Sequence, residues 1–142
     1  MYSYKPETGH RSGLEDKIAA QIKSYEDQEV YENYYLRYSV PAKERKYTPD
    51  FILKNGIIIE AKGLFSREDR QKHLLIKSQY PNLDIRFVFQ NANNKLYKGS
   101  KTTYGDWCNK YGFKFAQKII PSEWFKEGSH SLDGVLSKNK KG

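Results

Sequence analysis

The chain has 142 residues, enough for one compact core and too few for a second of ordinary size. Lys and Arg outnumber Asp and Glu by 25 to 17, a formal net charge of +8, so the surface is expected to attract a polyanion, nucleic acid foremost. One cysteine, Cys108, excludes an internal disulfide and a Cys-built zinc cluster. The opening residues lack the apolar run of a signal peptide, and no stretch approaches the roughly 18 apolar residues of a membrane span, so the sequence reads as soluble and intracellular.

Residues 1–11 are polar and patternless, the expected composition of a mobile tail. Ser12-Gly13-Leu14-Glu15 then matches a capping box, and the stripe Leu14, Ile18, Ile22 predicts a first helix ending near Ser24. Val30 to Val40 alternates with a period of two and predicts a long strand. Pro41 to Lys46 is charged and apolar-poor, the pattern of an exposed connector. Tyr47–Leu53 and Ile57–Ala61 flank Asn55-Gly56, which predicts an antiparallel hairpin. Ser66 opens a second helix that Pro81 stops, and Leu83–Phe89 predicts a buried strand. Strand, helix, strand is a crossover unit, so those two strands should be parallel and the sheet mixed. A polar loop over 91–100, a short helix from Thr103 to Gly112, a short strand over 113–116 and an apolar clasp over 119–125 complete the expected domain. Residues 128–142 are Ser/Gly/Lys-rich and read as a second, basic tail.

The chemistry-bearing stretch is Asp50 followed, across the hairpin, by Glu60-Ala61-Lys62. Two carboxylates and an ammonium are what phosphodiester hydrolysis asks for: hard-cation ligands and a positive charge beside the phosphate. Glu60 and Lys62, two apart on a strand, share a face. Asp50 joins them only if the turn is right. A two-residue loop would pair Phe51 with Glu60 and send Asp50 to the opposite face. A three-residue loop, Lys54-Asn55-Gly56 with Gly56 left-handed, pairs Leu53 with Ile57 and Asp50 with Glu60. Glu15 is a further carboxylate, expected either to bond back to the Ser12 amide or to reach a metal. His73, Lys95, Lys98 and Lys101 are candidate phosphate contacts, and Trp107 and Trp124 are expected in the core.

Taken together, Arg-Ser-Gly-Leu-Glu-Asp-Lys at 11–17, Tyr-Thr-Pro-Asp-Phe at 47–51, Glu-Ala-Lys-Gly-Leu at 60–64, Asp-Arg-Gln-Lys-His-Leu-Leu-Ile at 69–76, Leu-Tyr-Lys-Gly-Ser at 96–100 and Ile-Pro-Ser-Glu-Trp at 120–124 resemble the phage T7-type endonuclease I family. The resemblance implies a restriction-endonuclease-like α/β core with a mixed sheet flanked by helices, in an intertwined homodimer. It implies a structure-selective endonuclease that cuts four-way (Holliday) junctions and other branched DNA with Mg2+ or Mn2+, two ions per site. The implied division is a tail at 1–11, a nuclease domain at 12–126 and a basic tail at 127–142. Within the domain, 12–40 would be exchanged between chains, 41–46 would be the bridge and 47–126 the catalytic core. Matched residue by residue, the site falls on Glu15, Asp50, Glu60 and Lys62, the three carboxylates as ligands, with Glu15 supplied by the partner chain. A phage-encoded protein of this kind would act in the host cytoplasm. The competing readings are a sequence-specific restriction endonuclease on the same core and a non-catalytic junction-binding protein.

Overall fold

The computed structural model describes residues 12–40 and 43–138, so the expected tail at 1–11, Pro41 and Ala42 of the connector, and the last four residues lie outside the described residues. Its elements in chain order are α1 (Gly13–Ser24), β1 (Tyr34–Val40), β2 (Lys43–Tyr47), β3 (Phe51–Ile52), β4 (Ile58–Lys62), α2 (Arg67–Gln79), β5 (Ile85–Phe89), α3 (Tyr104–Tyr111), β6 (Phe115–Gln117), α4 (Ser122–Phe125) and β7 (Ser137–Lys138). The α/β class and the mixed sheet hold: the central sheet runs β3-β4-β5-β6, antiparallel at its first pair and parallel at the other two.

Local chemistry sets the helix boundaries. Ser66 Oγ accepts the Asp69 amide while the Asp69 carboxylate accepts the Ser66 amide, a reciprocal cap that starts α2, and Thr103 with Asp106 does the same for α3. Gly112, at φ +78°, closes α3 in a conformation that costs most other residues strain. At α1, Ser12 Oγ accepts the Glu15 amide at 3.1 Å.

Alternation along β4 and β5 divides the core in two. Ile58, Phe87 and Phe89 face α2 and α3, meeting Phe65, Ile76, Tyr104, Trp107 and Phe113. Ile59 and Val88 face the other way, against Leu14, Ile18 and Ile22 of α1 and against Ile120 and Trp124. Both tryptophans are therefore core residues, as expected.

Phe51 pairs with Ile59 and Ile52 with Ile58, so Leu53 stands opposite Ile57 and the next step sets Asp50 opposite Glu60. Leu53 N donates to Ile57 O at 2.8 Å, Gly56 N donates to Leu53 O at 2.8 Å, and Gly56 has φ +90°. This is the three-residue turn that the site requires.

Four expectations change, the first being that the strand expected over Tyr47–Leu53 shortens to Phe51–Ile52, with Tyr47 ending β2 instead. The strand predicted over 30–40 begins at Tyr34, because Glu32 takes φ +52° and breaks the extended run. The connector expected over 41–46 is strand from Lys43, antiparallel to β1 with Leu36 opposite Tyr47, and Lys43–Lys46 are all exposed. The segment expected to be a tail from 127 packs back: His130 N donates to Asn55 O, β7 pairs with β1, and Val135 and Leu136 pack on the core. Arg86, 1 % exposed, anchors its start with paired bonds of 2.6–2.8 Å to Asp84 and Glu127.

Gly56 therefore has two reasons to be glycine. A Cβ there would run into the His130 carbonyl, and its φ is left-handed. Gly56→Ala is expected to lower unfolding free energy by about 1–3 kcal/mol in urea melts; a variant as stable as wild type would show that the turn tolerates another register.

Candidate active site

The site lies at the C-terminal ends of β4 and β5, where Lys62 ends one strand and Gln90 N donates to Lys62 O at 3.0 Å as the other runs into its loop. Open α/β sheets place their ligands at this edge. Asp50 enters from β3, which runs antiparallel to β4, so its start meets the end of β4.

Glu60 is 2 % exposed and held from two sides. Its Oε2 accepts the Tyr47 hydroxyl at 2.7 Å and the Asp50 amide at 2.9 Å. Its Oε1 faces Lys62 Nζ at 3.8 Å and His73 Nε2 at 3.9 Å. Burial, and then the charge and hydrogen bond of Glu60, push the Tyr47 hydroxyl well above its ordinary range, so it stays a donor to that carboxylate.

The Asp50 carboxylate accepts the Ala61 amide at 3.0 Å and lies among other acids. Oxygens of Glu15, Glu32 and Asp50 all fall within 4.8 Å of one another. Glu15 and Asp50 are each 3 % exposed. Glu15 also accepts the Tyr31 hydroxyl at 3.3 Å. Burial, followed by the charges of Glu60 and Glu15, pushes the Asp50 carboxyl well above its usual range, against the opposing pull of the Ala61 amide and Lys62. Such a cluster suits a divalent cation, whose hard charge is matched by carboxylate oxygen.

Lys62 is held between Glu60 and Asp69, whose Oδ1 lies 3.4 Å away. Burial disfavours its charge, but Glu60, Asp69 and Asp50 outweigh it and raise its pKa. The amine is therefore an ammonium at neutral pH.

The structure thus brings Asp50, Glu60 and Lys62 together and adds Glu15, from the same chain. Two contributors were not singled out from the sequence. Glu32 sits in what reads as a regular strand, and only its positive φ, with its amide bonded to Asp50 O at 3.2 Å, turns it toward Asp50. Asp69 reads as a helix-capping acid, and it is one, yet its other oxygen steadies Lys62.

His73 is a correction. It was a candidate phosphate contact, and it is 0 % exposed, enclosed by Tyr47, Phe87 and Phe113 behind Glu60. Lys95, Lys98 and Lys101 are exposed in the loop that follows β5 at the site's end of the sheet, a position compatible with phosphate contact. In a second group, Asp84, Glu127 and His130, both carboxylates are satisfied by the Arg86 guanidinium and His130 lies 3.4 Å from Asp84.

A folded-state pKa raised above the unfolded one means that the native chain binds the extra proton between the two, so Asp50 subtracts stability as pH rises through that interval. Asp50→Asn should melt higher than wild type in chelator at neutral pH, with the difference shrinking toward pH 4. A variant that melts lower across the whole range would mean that the acidic cluster is not under repulsion.

The Phage endonuclease I family matches residues 2–142. The chain is 51 % identical over 132 residues to "Endonuclease I" of Escherichia phage T7, covering 93 % of this chain and 89 % of that protein. It is 50 % identical over 132 residues to "Endodeoxyribonuclease 1" of Enterobacteria phage T3, covering 93 % and 87 %.

Proposed function

The chain belongs to the phage endonuclease I family, and from that premise we propose that it is a structure-selective endonuclease which resolves four-way junctions and other branched DNA by divalent-cation-dependent hydrolysis. The observation that carries this reading is the clustering of buried Glu15 and Asp50 with half-buried Glu32, beside Glu60 and the Lys62 ammonium.

The donors fit the group. They are carboxylate oxygens without sulfur, a set that suits hard cations such as magnesium and manganese. Asp50 and Glu60 would hold one ion, and Asp50 with Glu15 and Glu32 a second. A cation held there would supply charge neutralisation at the phosphate and a more acidic bound water. Lys62 presents a fixed positive charge to the phosphate oxygens, on which charge develops in the transition state, and its raised pKa suits it to that role rather than to taking a proton. Tyr47 and the Asp50 amide keep Glu60 oriented by holding its second oxygen. The exposed lysines of the loop after β5 contact backbone phosphates, which set position without reading sequence.

The test compares wild type with Glu60→Ala on a four-way junction and on linear duplex of the same sequence, with magnesium and then with chelator. Expected are metal-dependent cuts near the branch point by wild type alone, slowed by a factor of about 100 or more in the variant, which still binds the junction. Defined-site cutting of the linear duplex would point instead to a sequence-specific enzyme, and an intact junction would point to a protein that only binds.

Paired nicks need two sites, and we place them in a homodimer whose α1–β1 arms are exchanged, so that Glu15 crosses to the partner's Asp50. Within the chain α1 packs on β4 and β1 on α2, and in the exchanged dimer the arm of the second copy would take over those contacts. Chains carrying Glu15→Gln and chains carrying Asp50→Asn should each be inactive. Refolded together they should regain single-strand nicking, because one of the two sites in a mixed exchanged dimer is intact. A mixture as inactive as its components would place Glu15 and Asp50 of each site on one chain.

A further inference from the structure

Buried imidazoles in folded proteins are almost always hydrogen-bonded, because leaving a buried donor or acceptor unmade costs about 1–3 kcal/mol per group. His73 breaks this rule at both ring nitrogens. Neither Nδ1 nor Nε2 has a hydrogen-bond partner among the described residues, and they are the only buried side-chain nitrogen or oxygen atoms there of which that is true. The ring is packed by edges rather than held by bonds: Phe87 lies 4.8 Å away, Tyr47 5.1 Å and Phe113 6.4 Å, all near perpendicular. An apolar residue would fill that space without the penalty. Helix α2 nonetheless places there a side chain whose Nε2 points at Glu60 Oε1, 3.9 Å away.

The surroundings explain what the nitrogen is for. Glu60 Oε2 is already saturated by Tyr47 and the Asp50 amide, so any change at this carboxylate falls on Oε1. Oε1 has two neighbours at nearly equal range, Lys62 at 3.8 Å and His73 at 3.9 Å. A cation taken up by these acids would repel the Lys62 ammonium, leaving the imidazole as the neighbour of Oε1. Carboxylates that serve as metal ligands are themselves hydrogen-bonded from behind, and that support fixes both their orientation and their basicity.

We propose that His73 is a positioning residue for Glu60: an imidazole whose Nε2–H closes onto Glu60 Oε1 when the site takes up its cation. Nε2 is the ring nitrogen that faces Glu60, so the orphan in the free protein becomes a hydrogen-bond donor in the loaded one. The cost of leaving it unmade is thereby converted into preference for the loaded state. This inference rests on the cation-dependent reading of the site above.

Gln and Leu separate the donor from the packing. Gln at 73 can set an N–H where Nε2 stands, whereas Leu fills the space and offers none. Three measurements decide: Mn2+ affinity of the DNA-free protein from the electron paramagnetic resonance of free ion, kcat and KM on a four-way junction, and the imidazole N–H resonances of 15N-labelled protein with and without Mg2+. His73→Leu should lose about 10–100-fold in Mn2+ affinity or kcat, with KM nearly unchanged. His73→Gln should recover most of that loss. In wild type, Mg2+ should bring up a slowly exchanging Nε2–H resonance that is missing from His73→Gln. A His73→Leu protein equal to wild type in both affinity and kcat, or a His73→Gln protein as poor as His73→Leu, overturns the proposal. Should His73→Leu not fold, the resonance decides alone, and its failure to appear overturns it. Wild type that binds Mn2+ but leaves junctions intact would remove the proposed activity, while the affinity comparison would still decide the role of His73.

Discussion

The site depends on one register. With Leu53 opposite Ile57, the carboxylate of Asp50 and the pair Glu60 and Lys62 arrive at the same end of the sheet. A slip of one residue would turn every side chain of one strand over. Several groups hold this pairing in place. Gly56 supplies the left-handed corner, and Asn55 bonds through its side chain to Ile57 N and to the Trp124 carbonyl. His130 N then closes on Asn55 O. The turn is thus set by its own two central residues and clamped by a segment far away in sequence.

What the register assembles is electrostatically costly. Four acidic side chains and one ammonium are gathered at a single edge, and three of the acids are almost wholly buried. The fold compensates locally rather than evenly. Glu60 receives two good donors, Asp50 receives one backbone amide, and Lys62 is steadied by a carboxylate that also caps α2. The residual strain falls on Asp50 and on the backbone at Glu32, two of the acids gathered in the candidate site.

Much of this was legible in the sequence because the signals were local. The Asn-Gly turn, the Pro after α2, the helix caps and the run from Ile57 to Ile59 each act within a few residues, and their elements appear where expected. Asp50, Glu60 and Lys62 could be placed together by counting across a hairpin. Glu32 could not, because period-two alternation carries no trace of a single residue at positive φ. The strand Lys43–Tyr47 was hidden by its charge, since an exposed hairpin strand buries nothing but its last residue and so shows no apolar pattern. The segment from 127 was hidden by its Ser and Gly content, which masks Leu132, Val135 and Leu136 and gives no hint of a pairing with β1. The sequence leaves His73 open between phosphate contact and packing for a related reason: α2 buries only His73 and Ile76 fully, too few to mark an inward face.

The Arg86 cluster has a consequence for how the molecule responds to ionic strength. Its guanidinium is enclosed, stacked over Trp124 at 5.0 Å and matched by two carboxylates, so mobile ions screen it poorly. Lys95, Lys98 and Lys101 stand in solvent, where the same ions screen them well. Salt therefore divides the basic residues into two populations that answer differently. Those that would hold a polyanion let go first, while the one that fastens residues 127–130 to the sheet keeps its grip, and with it the turn at Asn55. A bound polyanion can be exchanged without loosening the hairpin that sets the geometry of the candidate site.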